Sequence, residues 1–110
     1  KNEFRKSITG LIAYAKAWQV KPILMTQGSC FSYGIKNLDR YDGYDLVLLH
    51  QEFNKVIREV AKSEKVELVD AELLMKGNKS YFYDSVHYTD SGSVFISKYI
   101  SNSIQKIIEN

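Results

Sequence analysis

Apolar side chains fall on one helical stripe at the start of the chain: Phe4, Ile8, Leu11, Ile12 and Ala15, with Arg5, Lys6 and Lys16 opposite. Spacings of three and four residues predict an amphipathic helix that buries this stripe. Trp18-Gln19-Val20 ends the pattern. Lys21-Pro22-Ile23-Leu24-Met25-Thr26 then reads as a short buried strand, with Pro tolerated near its first position. From Gln27 to about Asp42 the chain has no period and is rich in Gly, Ser, Tyr and Asp, which predicts an irregular loop of a length usually tied to function. A second helix is predicted over 44–63, with Leu49, Phe53, Val56, Ile57 and Val60 on its stripe. Residues 66–70 read as a second strand, 71–75 as a helical turn and 76–79 as a turn cluster. Thr89 or Asp90, both good N-cap types, open a last helix to about Ile108. Its apolar face takes Phe95, Ile96, Tyr99, Ile100, Ile107 and Ile108.

Strands alternating with long amphipathic helices predict right-handed crossovers and a parallel sheet covered on both faces, an α/β fold. Two parallel strands are too few for an independently stable sheet, and their outer edges stay open. Three amphipathic helices also carry more apolar face than two short strands cover. The 110 residues are therefore expected to be the C-terminal portion of a single larger α/β domain, with strands lacking on the N-terminal side.

Composition changes this picture little. At 45% hydrophobic and 25% charged residues the chain is globular rather than disordered. A net charge of +2, with no Lys/Arg run longer than two residues, leaves no electrostatic footprint for nucleic acid. The apolar run Leu46-Val47-Leu48-Leu49 is far too short to span a bilayer. One cysteine, Cys30, makes neither an intrachain disulfide nor a zinc site by itself.

The chemistry concentrates in Tyr83-Asp84-Ser85-Val86-His87-Tyr88-Thr89-Asp90-Ser91-Gly92, just before the last helix. In open parallel sheets, ligands bind beyond the carboxyl ends of the strands, and this segment is expected to return there. An Asp and a His three residues apart on a loop can fold so that the carboxylate accepts the imidazole Nδ1–H. That sets the tautomer and leaves Nε2 as a general base. Alone, an Asp-x-x-His is common, and more often Asp caps a turn while His packs.

The string resembles the last block of the SGNH (GDSL) hydrolases, a family of esterases and lipases: Asp84, His87, Thr89 and Gly92 match its Asp-x-x-His followed by Thr and Gly before the final helix. Residues 4–16 are similar to that family's helix before its fourth strand, 22–26 to that strand, 53–61 to the next helix and 66–70 to the fifth strand. The resemblance implies a three-layer α/β/α flavodoxin-like sheet and a serine ester hydrolase with Asp84 and His87 as catalytic residues. It implies no metal or organic cofactor, and a small-molecule, glycan or lipid ester as substrate. The family's Gly-Asp-Ser and Gly-x-Asn-Asp blocks, which bring nucleophile and oxyanion donors, occur nowhere in the chain. Their natural place precedes Lys1, so the 110 residues alone are expected to be inactive.

Other residues carry weaker signals. Gly28-Ser29-Cys30 lies after the first strand but lacks the Gly-x-Ser-x-Gly elbow, so neither Ser29 nor Cys30 is a convincing nucleophile. Asp70 is expected to bond backbone or cap a turn, and His50 to pack or face solvent. Asp39, Asp42 and Asp45 have no metal-ligand spacing. Asn78-Lys79-Ser80 fits the glycosylation pattern. Tyr33, Tyr41, Tyr44, Tyr81, Tyr83 and Tyr88 gather in the two rim loops, as pocket lining or as solvent-facing rings. Two rival readings stand beside the hydrolase: a non-catalytic flavodoxin-like binding or scaffold domain that keeps Asp-x-x-His as a structural cap, and a metal-dependent hydrolase using Asp84, His87 and Asp70.

Overall fold

The structure, a computed structural model, describes residues 2–31, 40–41 and 44–109. Its elements are α1 (Asn2–Ala17), β1 (Ile23–Met25), β2 (Arg40–Tyr41), β3 (Tyr44–Asp45), α2 (Leu46–Ser63), β4 (Glu67–Val69), α3 (Ala71–Met75), a 3-10 turn (Lys79–Tyr81) and α4 (Asp90–Glu109). β1 and β4 pair in parallel, Ile23 opposite Glu67 and Met25 opposite Val69. This is the small parallel sheet of an α/β fold. β2 and β3 form a separate antiparallel ladder, β2 inside the stretch expected to be irregular and β3 at the first two positions of the segment expected to be helical. Two-residue strands are too short to show alternation in sequence, which is why they were not foreseen.

α1 and α2 each run into a strand through the same stop. Gln19 and Lys65 take left-handed φ values of 59° and 54°. Val20 N–H then bonds Ala15 O at 2.8 Å, and Val66 N–H bonds Ala61 O at 2.9 Å. These six-to-one bonds satisfy carbonyls that a helix end leaves free. At its other end α2 is capped by Asp45, whose carboxylate accepts Leu48 N–H at 3.1 Å, so the helix begins two residues later than its apolar pattern.

Alternation along β1 sends neighbouring residues to different apolar clusters. Leu24, with Val66, packs among Ile8 and Ile12 of α1 and Val56 and Val60 of α2. Ile23, with Val69, packs among Met75, Phe82 and Ile96. Arg5 of α1 also pairs with Glu59 of α2. Two expectations about burial fail. Leu11 is 70% exposed rather than covered, and joins Tyr14, Trp18 and Val20 in an uncovered apolar strip; Ile108 is exposed at the end of α4. No described element packs on either place. Met25 is 41% exposed, and among the described residues β1 has a strand neighbour on one side only.

Candidate active site

The loop bearing Asp84 and His87 is a short hairpin. Phe82 and Tyr88 bridge antiparallel, and Tyr83 N–H donates to His87 O at 3.1 Å. Phe82 is buried and meets the Tyr88 ring edge to face at 5.4 Å, while Tyr83 and His87 form the next pair and are exposed. Across the loop Asp84 uses both oxygens. Oδ1 accepts Val86 N–H at 2.9 Å and His87 N–H at 2.8 Å, and Oδ2 lies 2.7 Å from His87 Nδ1. Turn capping and imidazole orientation are therefore simultaneous, not alternatives. The Val86 N–H, the His87 N–H and the imidazole together hold the Asp84 carboxyl below its usual range. His87 Nε2 has no hydrogen-bond partner among the described residues, and the side chain is 62% exposed. Chemically, this is an oriented imidazole with one open nitrogen.

Three segments hold the hairpin. Thr89 Oγ1 donates to Ser80 O at 2.8 Å and accepts Gly92 N–H at 3.1 Å, capping α4 and tying it to the 3-10 turn. Gly92 lies so close to Tyr81 that a Cβ there would fall 2.2 Å from Tyr81 O. From the loop after β1, Cys30 N–H donates to Ser85 O at 2.7 Å and Gly28 N–H to Tyr88 Oη at 3.1 Å. Cys30 itself is buried, its thiol donating to Gly77 O at 3.0 Å. It braces the loop.

Beside His87 lies a pocket of about 350 Å³ lined by Phe31, Leu46, His50, Asp84, Ser85, Val86 and His87. Sequence reading placed His50 on the second helix as a packed or surface residue and did not connect it with His87. It is packed, with its ring edge to face on Phe31 at 5.2 Å. Neither ring nitrogen has a hydrogen bond among the described residues; Glu72 Oε2 stands 3.5 Å from Nδ1 without hydrogen-bond geometry. Burial holds this imidazole below its usual range against the pull of Glu72.

A solved lipase shares this fold. The crystal structure of a GDSL-like lipase from Bacteroides thetaiotaomicron matches with a TM-score of 0.77 and 25% identity, covering 94% of this chain and 51% of that one. The chain thus spans about half the length of that lipase. No family model and no curated protein matches the chain.

Within this fold, Asp70 has a larger part than the expected backbone cap. Its side chain does accept Leu73 N–H at 3.3 Å. It also takes Arg58 Nε at 2.7 Å, Arg58 Nη2 at 2.9 Å and Thr26 Oγ1 at 2.8 Å. Arg58 Nη2 continues to Glu72 Oε1 at 2.7 Å, and Asn54 Nδ2 bridges Glu72 Oε2 and Gln27 O. This network fastens α2 to the carboxyl ends of β1 and β4, and its Glu72 stands 3.5 Å from His50, which lines the pocket beside His87. The Arg58 guanidinium, foremost, holds the Asp70 carboxyl below its usual range. A lowered folded pKa means stability that is present above the unfolded value of about 3.9 and is lost as pH falls through the folded value. Asp70→Asn is expected to lower stability at pH 7 by about 2 kcal/mol, less than a fully buried pair would lose because Arg58 is partly exposed. It should also flatten the acid limb. Urea melts at pH 7 and pH 3 on both proteins check this.

Of the tyrosines, Tyr81 stacks on Phe95, Tyr83 on His87, and Tyr88 packs on Phe82. None of the three lines the pocket beside His87. Asp45 caps α2. Tyr33, Asp39 and Asp42 lie outside the described residues, as do the side chains of Tyr41 and Tyr44. Among the described residues no three His, Cys, Asp or Glu side chains gather as metal ligands, and no helix is long and apolar enough to cross a membrane.

Proposed function

We propose that this chain is the C-terminal portion of an SGNH-type serine ester hydrolase and supplies the acid–base pair of its catalytic triad. The observation that carries the reading is the 2.7 Å contact between Asp84 Oδ2 and His87 Nδ1, with Nε2 open. His87 Nε2 takes the proton of a serine hydroxyl as its oxygen attacks the ester carbonyl. Nδ1–H, held by Asp84, keeps the tautomer correct and the resulting imidazolium stabilised. The same proton then passes to the leaving alkoxide, and His87 repeats the cycle on water to release the acid.

The serine and oxyanion donors come from polypeptide preceding Lys1. The one-sided β1 edge, the uncovered strip of Leu11, Tyr14 and Trp18, and the half-length match to the lipase support this. In the complete domain the sheet is the middle of a three-layer α/β/α flavodoxin-like fold. The substrate is a small-molecule, glycan or lipid ester, and the chemistry calls for no metal or organic cofactor. Phe31, Leu46 and Val86 give the pocket beside His87 an apolar wall for one side of that ester.

A second reading, a binding or scaffold domain, draws on Asp84 Oδ1, which caps the turn whether or not catalysis occurs. Hydrolysis of a short-chain aryl ester by the complete gene product separates the two. Turnover that survives a chelator is expected; binding without turnover would favour the scaffold.

A further inference from the structure

We infer that Tyr83 is a positioning residue for His87, its ring fixing the plane of the imidazole and facing the charge that the imidazole acquires. The inference rests on the hydrolase reading and goes beyond it, because that reading assigns Tyr83 no part. The Tyr83 and His87 rings are stacked, 5.6 Å between centroids and 15° between planes. The stack is built into the backbone. Phe82 and Tyr88 form the bridged pair that points inward, so the next pair, Tyr83 and His87, points outward on one face.

An exposed histidine needs such a support. Torsion about the bond to its ring is broad and roughly two-fold, not locked in three wells. The Asp84 bond fixes where Nδ1 sits but leaves the ring free to swing about the N···O line. A second contact against the ring face removes that swing and sets the direction of Nε2. Tyr83 is 65% exposed, and among the described residues its one ring contact is His87. Its ring is therefore not held for the sake of the core.

The stack also discriminates between protonation states. An aromatic face within about 6 Å attracts a cation, and the imidazole becomes one only as the serine gives up its proton. An interaction that strengthens in the transition state raises kcat and leaves KM alone. Phenylalanine offers the same face; leucine does not.

The test uses the complete protein, as wild type, Tyr83→Phe, Tyr83→Leu and His87→Ala. Tyr83→Phe is expected to keep kcat within about twofold. Tyr83→Leu should lower kcat about tenfold with KM within about twofold, an effect of the size that a small misplacement of a reacting group produces. The ring-current shift of the His87 ring protons should persist in Tyr83→Phe and vanish in Tyr83→Leu, with the thermal melt unchanged. Equal kcat in wild type and Tyr83→Leu, while His87→Ala abolishes turnover, overturns the role of Tyr83 and leaves the hydrolase reading standing. Equal loss in the Phe and Leu variants also overturns it, since the hydroxyl and not the ring face would then matter. Undiminished turnover in His87→Ala removes the hydrolase reading, and the positioning role goes with it even if the ring-current shift shows the stack.

Discussion

If the proposed hydrolase reading holds, replacing His87 by alanine in the complete gene product is expected to lower kcat by on the order of 10⁴–10⁶, the range set by serine hydrolases stripped of their base. Asp84→Asn is the sharper variant. Asparagine retains a carbonyl oxygen that can still accept Val86 N–H and His87 N–H, so the hairpin keeps its cap. What it loses is the charge facing Nδ1 and the ability to hold the correct tautomer. A loss in kcat on the order of 10⁴ is expected, with KM and the thermal melt close to wild type. Asp84→Ala removes cap and charge together, so it should lose stability as well. If Asp84→Asn instead kept most of the activity, the carboxylate would be a turn cap and nothing more.

Gly92→Ala is expected to lower stability by about 3 kcal/mol or more, combining overpacking with a weakened helix cap. The added Cβ would meet Tyr81 O at 2.2 Å. That carbonyl cannot simply retreat, because it accepts Thr89 N–H at 2.9 Å and its own side chain stacks on Phe95. α4 must move instead, and with it the bonds from Gly92 N–H to Thr89 Oγ1 and from Thr89 to Ser80 O. These sit beside the hairpin proposed to be catalytic, so on that reading kcat should fall too. Gly10 supplies the control: it lies inside α1 with nothing within 4 Å of a built Cβ. Gly10→Ala should stabilise by about 0.5–1 kcal/mol, since alanine loses less entropy than glycine in a helix. Paired urea denaturation of the two variants measures both effects.

Local signals carried the fold a long way. The helical stripes of α1, α2 and α4 and the two strand segments were legible because period and capping residues act within a few positions. The same holds for Asp84 and His87, which stand three positions apart and meet across a single turn. The Thr and Gly of the motif were legible as a pattern, but their reason was not: Gly92 is small because a backbone carbonyl ten or so residues back approaches it. Long-range partners were the main blind spot. Arg58 and Asp70 meet across 12 residues and Thr26 and Asp70 across 44, and no spacing rule links them. Leu11 misled for a different reason. It shares a stripe with Ile8 and Ile12, yet a stripe states which face is apolar and not what covers it. His50 belongs with both cases: helical periodicity put it on α2, but only the folded chain brings it beside Asp84 and His87.

The central claim is that His87 activates a serine lying outside these 110 residues. Its most direct test is fluorophosphonate labelling of the complete gene product, followed by peptide mass analysis, in wild type and His87→Ala. The account predicts one labelled serine that precedes Lys1 in the chain, and a labelling rate that collapses in His87→Ala. Labelling on Ser29, or at a rate indifferent to His87, would contradict it.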